Sequence, residues 1–184
     1  MPTPAKTSRE ALVEIGGALV AKGGADALTI AAVASAAGVR GPSLYKHFTD
    51  RSELLGAIAV KVIAGFGEDL RARTTGRSAR QRLVAMAGAY RRFAQESPHL
   101  YQLMYDPALA AVPGVAEASR LGVQPLFDEL QAAGVPPRQV LILARVLVAY
   151  LHGFVSMEAG LAFRLGGDVD RAFEDGLKAI LDTI

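Results

Sequence analysis

The feature that most constrains this chain is the spacing of its apolar residues, which recur at helical intervals along almost its whole length. This spacing collects them on one side of an α-helix, whereas a half-buried strand needs strict alternation of apolar and polar residues. No stretch alternates in that way between turn signals. The sequence therefore predicts an all-α protein of about nine helices, with a small N-terminal helical domain followed by a larger C-terminal one.

Composition and charge limit where such a protein works. The 184 residues include no cysteine, which excludes disulfides and thiolate metal sites and favours a reducing compartment. Residues 1–10 are polar and lack the apolar segment of a secretory signal, so a cytoplasmic protein is expected. The formal net charge of +2 is compatible with nucleic-acid binding but does not argue for it.

The longest apolar stretch, residues 140–163, is long enough to cross a bilayer. Arg145, His152 and Glu158 interrupt it, and each charge placed mid-membrane costs about 2.5–3.5 kcal/mol on insertion scales. We therefore expect a buried helix rather than a membrane span. This helix is apolar on nearly every face, and the core of a single monomer cannot cover all of that surface. The sequence therefore also predicts a two-fold homodimer through the last two helices.

Three short helices are predicted in the first fifty residues. The first spans about residues 8–22 and ends at a pair of glycines. The second begins after Thr29, whose hydroxyl can accept a first-turn N–H, and ends at Gly38. The third follows at once, with Pro42 tolerated in its first turn. Two short helices joined by a tight turn are the layout that presents a recognition helix to the major groove.

The third helix has an apolar side and a polar side. Leu44 and Phe48, one turn apart, are predicted to face the core. The segment from residue 40 to residue 47 carries two basic residues, a further potential charge at His47 and no acid. It can therefore face DNA phosphates without repulsion.

The polar side of this helix suggests distinct roles. Tyr45 and Lys46 can donate to phosphate oxygens, whereas Arg40 and Ser43 are better placed for base edges. The alternative is the solvated face of an ordinary helical bundle, with Tyr45 partly in the core. The predicted DNA-binding residues are Thr29, Arg40, Gly41, Pro42, Ser43, Tyr45, Lys46 and His47.

Residues 28–34 (LTIAAVA), 37–39 (AGV), 43–48 (SLYKHF) and 54–55 (LL) together resemble the DNA-binding signature of the tetracycline-repressor (TetR) family. The resemblance covers roughly the first sixty residues. It implies a homodimer that binds a palindromic operator near a promoter and releases it when a small molecule enters the C-terminal domain. It also implies a DNA-binding domain over residues 1–54 and a ligand-binding and dimerisation domain over residues 55–184. Arg40 stands where the family often has a Ser or Thr cap, which favours a DNA contact for it.

Six more helices are predicted after the third. The first five span about residues 50–73, 78–96, 98–105, 115–133 and 137–166, and the last is capped by Asp168 and has Phe173, Leu177, Ile180 and Leu181 on its apolar face. Pro125 lies inside the fourth of these, so a kink is expected near residues 121–125. Residues 151–154 (LHGF) with Met157, Glu158 and Gly160 are similar, more loosely, to the WHG-type ligand-binding domain of one TetR subgroup, although its tryptophan is absent here.

A group of aromatic, methionine and polar residues is predicted to line a ligand cavity. Individually the aromatic residues are ordinary core residues, but together, flanking a kinked helix, they suit an apolar cavity with a few polar anchors. For His152, a hydrogen-bonded core role is favoured over ligand sensing, and no histidine or carboxylate lies at metal-ligand spacing from it, so no metal or other cofactor is expected. The predicted ligand-binding residues are Tyr90, Phe93, Tyr101, Met104, Tyr105, Phe127, Arg145, His152 and Glu158.

Catalysis is not indicated by any motif. Ser43 lacks the closing glycine of a nucleophile elbow, and no His-Glu-x-x-His occurs. A purely structural helical protein would explain the last two helices but not the first fifty residues. The sequence therefore predicts a transcriptional regulator and no enzyme, with repression of a promoter relieved by a small apolar molecule as the expected mode of action.

Overall fold

The computed structural model describes residues 8–184. The prediction about the polar N-terminus rests partly on the first seven residues, which lie outside the described part. Within residues 8–184 the chain is helical and contains no strand, which confirms the all-α prediction. It divides into two compact units. One comprises the described residues up to Gly65 together with Ser97–Leu121, and the other comprises Phe66–Glu96 and Gly122–Ile184. The functional boundary after residue 54 stays a prediction.

Eight α-helices and three short 3-10 helices form the described chain. The α-helices are α1 (Arg9–Gly23), α2 (Ile30–Ala37), α3 (Arg51–Arg73), α4 (Ala79–Glu96), α5 (Pro98–Met104), α6 (Val115–Ala132), α7 (Pro137–Ala159) and α8 (Val169–Leu181). The 3-10 helices are Ala25–Ala27, Gly41–Lys46 and Pro107–Leu109. The predicted third helix is the Gly41–Lys46 3-10 helix, and with the eight α-helices it makes up the predicted nine.

The turn between α2 and the Gly41–Lys46 helix is fixed by local backbone chemistry. Thr29 accepts a hydrogen bond from the Ala32 N–H at 3.0 Å and so caps α2. Gly38 ends α2 in the left-handed conformation, with φ +68°, and the Val39 N–H then reaches the Ala34 carbonyl at 3.0 Å. This arrangement satisfies the last carbonyls of α2 and reverses the chain at once. Both predicted ends of α2 are confirmed.

The core of the first unit is built from α1, α2, α3 and the Gly41–Lys46 helix, together with buried residues of α5, the Pro107–Leu109 helix and the start of α6. Leu44 and Phe48 are almost completely buried in it, as predicted. The Gly41–Lys46 helix is therefore held by its inner side, and its opposite side is left accessible. Other fully or nearly fully buried residues of this core are Leu12, Val20, Leu28, Val33, Leu54 and Ile58.

The second unit packs the last part of α3 with α4, α7, α8 and most of α6. The Phe66 ring lies 5.5 Å from the Tyr90 ring and 4.7 Å from the Phe93 ring, centroid to centroid. Gly67 in α3 and Gly122 in α6 meet at backbone distance, because a Cβ added to Gly67 would lie 2.8 Å from the Gly122 Cα. The absence of side chains at this crossing lets the two helices come this close.

The sequence prediction was wrong about where α7 ends. The helix was expected to continue to about Gly166, but it ends at Ala159. Beyond the cap residue Gly160, the backbone of Leu161 turns to φ +50° and the Ala162 N–H bonds to the Met157 carbonyl at 2.9 Å, which closes the last turn. The apolar pattern runs on through Leu161 and Leu165, yet both side chains are exposed. The periodicity of apolar residues alone therefore overestimated the length of the helix.

Helix α7 is also long and apolar enough to cross a membrane, with a mean hydropathy of 1.9 over its most apolar window. Only 28% of that window is buried within the described chain. Length and hydropathy do not separate a membrane span from a helix that another protein surface covers. The helix is thus less buried in one protomer than the sequence suggested.

Candidate nucleic-acid interface and ligand-binding residues

The accessible side of the Gly41–Lys46 helix carries the predicted DNA-binding residues. Tyr45 is 58% exposed, so it does not take the half-core position that the sequence left open. Arg40 holds the N-cap position with an extended backbone and makes no side-chain capping bond, so its guanidinium is not used to start the helix. Arg40, Pro42, Tyr45 and Lys46 are exposed, whereas Gly41, Ser43 and His47 are half-buried.

The 3-10 geometry determines how these side chains line up. Because a 3-10 helix has three residues per turn, side chains three positions apart eclipse each other. Ser43 and Lys46 therefore share one row along the accessible side, and Arg40 precedes this row at the N-cap. Thr29 is exposed at the start of α2, but its hydroxyl is engaged as the helix cap. Contact of these residues with DNA stays a prediction.

An arginine that sequence reasoning missed contacts the chain just after the Gly41–Lys46 helix. Arg9, at the start of α1, donates to the His47 carbonyl and, at 2.9 Å, to Oε1 of Glu53. Its guanidinium carbon also lies 4.3 Å from the centre of the Phe48 ring. We call Arg9, His47, Phe48, Thr49 and Glu53 together the Arg9 cluster.

Glu53 is the acidic member of the Arg9 cluster. Its Oε2 accepts from the Thr49 N–H at 2.7 Å and from the Thr49 hydroxyl at 2.9 Å. These hydrogen bonds, the backbone one first, and the neighbouring Arg9 lower the pKa of the Glu53 carboxyl. Arg9 and Glu53 are 44 positions apart, so nothing in the sequence indicated this pairing.

A second arginine joins α3 to the segment between α1 and α2. Arg51 donates through Nε to the Leu28 carbonyl and through Nη2 to the Ala25 carbonyl, both at 2.6 Å. One planar guanidinium thereby satisfies two carbonyls of that connection. Arg9 and Arg51 together fix the first unit around the helix-turn-helix from two sides.

The predicted ligand-binding residues belong to both compact units. Tyr101, Met104 and Tyr105 are in the first unit, where the Tyr101 and Tyr105 rings lie 5.2 Å apart. In the second unit, Tyr90 is buried and Phe93 is half-buried, and both contact Phe66. The second unit also holds Phe127 and His152, which are half-buried, Arg145, which is exposed, and Glu158, which is half-buried.

Glu158 has a partner that the sequence did not reveal. Arg91 in α4 donates through Nε to Oε2 of Glu158 in α7 at 2.9 Å, and through Nη2 to Asp170 in α8 at 2.7 Å. The guanidinium carbon also lies 4.7 Å from the Phe173 ring centre. The hydrogen bond to Glu158 raises the pKa of Arg91, so the guanidinium keeps its proton. Arg91 thus links three helices of the second unit.

A groove of about 670 Å³ lies between α4 and α8 in the second unit. Apolar side chains and cationic groups both contribute to its walls, which suits an amphipathic molecule. Its lining residues are Arg80, Val84, Gly88, Arg91, Arg92, Gln95, Phe173, Glu174, Leu177 and Lys178. Residues 8–184 contain no cluster of three or more His, Asp or Glu side chains arranged to hold a metal ion.

One face of α7 is apolar and accessible in the protomer. Ile142, Val146 and Met157 are exposed on it, and the small residues Ala149 and Gly153 lie between them. A Cβ added to Gly153 would meet no atom within 4 Å. An apolar face with small residues at its centre is suited to close packing against another helix.

Both parts of the chain match known family profiles. Residues 16–58 match the profile described as "Bacterial regulatory proteins, tetR family", and residues 83–180 match "Tetracyclin repressor-like, C-terminal domain". The HTH-type transcriptional regulator Rv0681 of Mycobacterium tuberculosis is 34% identical over 156 residues, which are 84% of this chain and 72% of that protein.

Two solved structures share the fold over almost the whole chain. A protein of unknown function from Rhodococcus sp. RHA1 is 27% identical, with a TM-score of 0.80 over 96% of this chain and 94% of that one. The transcriptional regulator SCO7222, a TetR from Streptomyces coelicolor, is 23% identical, with a TM-score of 0.75 over 96% of both chains.

Proposed function

Because this chain belongs to the TetR family of helix-turn-helix transcriptional regulators, we propose that it represses a promoter by binding a palindromic operator as a dimer and is released by a small apolar molecule. The observation that carries the DNA-binding part is the accessible side of the Gly41–Lys46 helix. That side presents Arg40 and Lys46 with no acid among residues 40–47, while Leu44 and Phe48 hold the helix from within.

Arg40 and Lys46 are proposed to do different work on DNA. Lys46 neutralises a phosphate, so Lys46→Ala should weaken binding to all sequences and reduce the slope of log affinity against log salt by about 0.9. Arg40 reads a base edge, so Arg40→Ala should lose about 1–3 kcal/mol of discrimination at one position of each half-site.

The test begins by selecting operators from a random duplex library with the wild-type protein. Affinities of the two variants for the selected operator and for unrelated DNA are then measured at several salt concentrations. Arg171→Ala is the matched control, since Arg171 is a mostly exposed arginine at the opposite end of the chain. Wild-type affinity and salt dependence in both Arg40→Ala and Lys46→Ala would refute the DNA-contact assignment.

The dimer is proposed to form through the accessible face of α7 together with α8. The exposed Ile142, Val146 and Met157 support this proposal, because a lone protomer leaves them in water. A two-fold pair should place the two Gly41–Lys46 helices about 34–36 Å apart, the distance between successive major grooves on one side of the duplex. Sedimentation as a monomer at micromolar concentration without DNA would contradict the proposal.

The ligand is proposed to bind the second unit near Tyr90, Phe93, Phe127 and His152. The aromatic contacts of Tyr90 and Phe93 with Phe66, and the half-buried Phe127 and His152 in the same unit, support an apolar molecule. Ligand binding can weaken operator binding only if the molecule favours a different dimer spacing, and a coupling of about 1–3 kcal/mol would change operator affinity about 5- to 150-fold. Helix α3, which supplies residues to both units, is the proposed lever.

Two neighbouring residues of α4 allow the ligand site to be located. Phe93 packs on Phe66, whereas Arg92 lines the groove between α4 and α8. Hits from a thermal-shift screen should lose affinity in Phe93→Ala and retain it in Arg92→Ala, and the reverse pattern would place the ligand in the groove instead. Operator titration with each hit then tests coupling, and a tight ligand that leaves operator affinity unchanged would refute the release mechanism.

A further inference from the structure

We propose that Arg9 is a positioning residue for operator recognition: it holds the C-terminal end of the Gly41–Lys46 helix in the orientation that reads DNA, without contributing a phosphate contact of its own. This inference rests on the proposed DNA-binding role of that helix. The evidence is the geometry of the Arg9 cluster, in which one guanidinium from α1 contacts three consecutive features of the chain that leaves the helix.

The contacts of Arg9 are directed at the end of the helix. The His47 carbonyl it binds belongs to the residue that caps the Gly41–Lys46 helix, where carbonyls point outward without helical partners. Cations are favourable at that end of a helix. The Arg9 guanidinium also lies over the ring of Phe48, the residue after His47, and Glu53 connects Arg9 to Thr49.

The Gly41–Lys46 helix needs such an external support. It has only six residues, and its N-cap residue, Arg40, makes no side-chain capping bond. A helix this short is marginal on its own, because few hydrogen bonds offset the cost of ordering its backbone. Leu44 and Phe48 fix its depth in the core, whereas the Arg9 cluster fixes the direction in which its last turn points.

The alternative role for Arg9, a direct phosphate contact, is disfavoured by the charge beside it. The Arg9 guanidinium and the Glu53 carboxylate pair at 2.9 Å, and Glu53 is itself held by two hydrogen bonds from Thr49. A phosphate approaching Arg9 would meet a carboxylate that cannot turn away without breaking those bonds. The pair is electrically neutral, so it adds nothing to the release of counterions from DNA.

The two roles predict opposite results in salt titrations. Arg9→Ala should lower affinity for the selected operator about ten-fold, the lower end of what a charge-assisted hydrogen bond contributes, while leaving unrelated DNA and the salt slope unchanged. Arg9→Lys keeps the charge but lacks the planar guanidinium that stacks on Phe48 while its Nη1 donates to both the His47 carbonyl and Glu53, so it should not restore operator affinity.

The matched control is the ion pair between Lys61 and Glu14, which also joins α1 to α3 but does not touch the Gly41–Lys46 helix. Lys61→Ala should therefore leave operator affinity unchanged. Glu53→Gln should weaken operator binding as Arg9→Ala does, and the double variant should be no weaker than Arg9→Ala alone, because residues that act as one unit are not additive.

The outcomes separate this inference from the proposed function. A salt slope reduced by about 0.9 in Arg9→Ala, with rescue by Arg9→Lys, would make Arg9 a phosphate contact and overturn the inference. Unchanged operator affinity in Arg9→Ala would overturn it as well. If Arg9→Ala fails to fold by circular dichroism, Arg9→Lys and Glu53→Gln decide by the same measurements. A wild-type protein that selects no operator would refute the proposed function together with this inference.

Discussion

The crossing of α3 and α6 should be intolerant of a single added methyl group at Gly67. A Cβ there would lie 2.8 Å from the Cα and 3.5 Å from the carbonyl oxygen of Gly122, which are backbone atoms that cannot rotate aside. Gly65, two residues earlier in the same helix, would place its Cβ within 4 Å of no other atom. The pair Gly67→Ala and Gly65→Ala therefore isolates the crossing from the general effect of replacing glycine in a helix.

The expected magnitude follows from two opposing terms. Replacing a mid-helix glycine by alanine stabilises by about 0.5–1 kcal/mol, because the unfolded chain loses freedom. This gain applies at both positions. At Gly67 the overlap with Gly122 subtracts about 1–3 kcal/mol, the usual cost of overpacking. Gly65→Ala should thus be more stable than wild type, and Gly67→Ala should be about 1–3 kcal/mol less stable than Gly65→Ala.

Urea unfolding followed by circular dichroism measures this difference, with protomer concentration held constant because a dimer's stability depends on it. In thermal unfolding, each kcal/mol corresponds to about 2–4 °C in Tm for a chain of this size. If Gly67→Ala proves as stable as Gly65→Ala, α3 and α6 do not meet at backbone distance.

Three further predictions concern other parts of the chain. Hydrogen bonds from Thr49 and the Arg9 guanidinium lower the pKa of Glu53. The stabilising contribution of Glu53 is therefore present above its unfolded pKa of about 4.3 and is lost as pH falls through the lower folded pKa. Glu53→Gln should flatten the fall in stability at acid pH, and an unchanged fall would contradict this. Arg91→Ala should lower the free energy of unfolding in urea by about 1–3 kcal/mol, because it leaves the half-buried Glu158 without its ion-pair partner. The exposed control Arg171→Ala should lower it by less than about 0.5 kcal/mol, and equal losses would argue against the Arg91 link. Gly153→Glu should convert the dimer to a monomer in sedimentation at micromolar concentration, and a persisting dimer would place the interface elsewhere.

The parts of the fold that sequence predicted are those governed by neighbouring residues. The cap at Thr29, the left-handed glycine at Gly38 and the inward Leu44 and Phe48 all follow from backbone chemistry or spacing within a few positions. The 3-10 form of the Gly41–Lys46 helix did not follow, since periods of 3.0 and 3.6 cannot be separated over six residues. The end of α7 was missed because Leu161 and Leu165 continue the apolar pattern while lying in water.

The site was predictable where its residues are consecutive and hidden where they are distant in sequence. The basic segment from residue 40 to residue 47 is visible as a string of letters. The pairing of Arg9 with Glu53 and of Arg91 with Glu158 joins residues 44 and 67 positions apart, and only the packing of helices sets those distances. Glu158 was accordingly recognised as a polar group in an apolar helix, but its partner was not.

In the proposed complex with DNA, the short row formed by Ser43 and Lys46, with Arg40 preceding it at the N-cap, also limits how much of an operator this protein can read directly. Six residues at a rise of about 2.0 Å each extend about 12 Å, which corresponds to about three to four base pairs at 3.4 Å per pair. Half-sites centred about 10 base pairs apart then leave some six central base pairs that neither row reaches. Any sequence preference in that centre must arise from how readily the duplex bends or twists there.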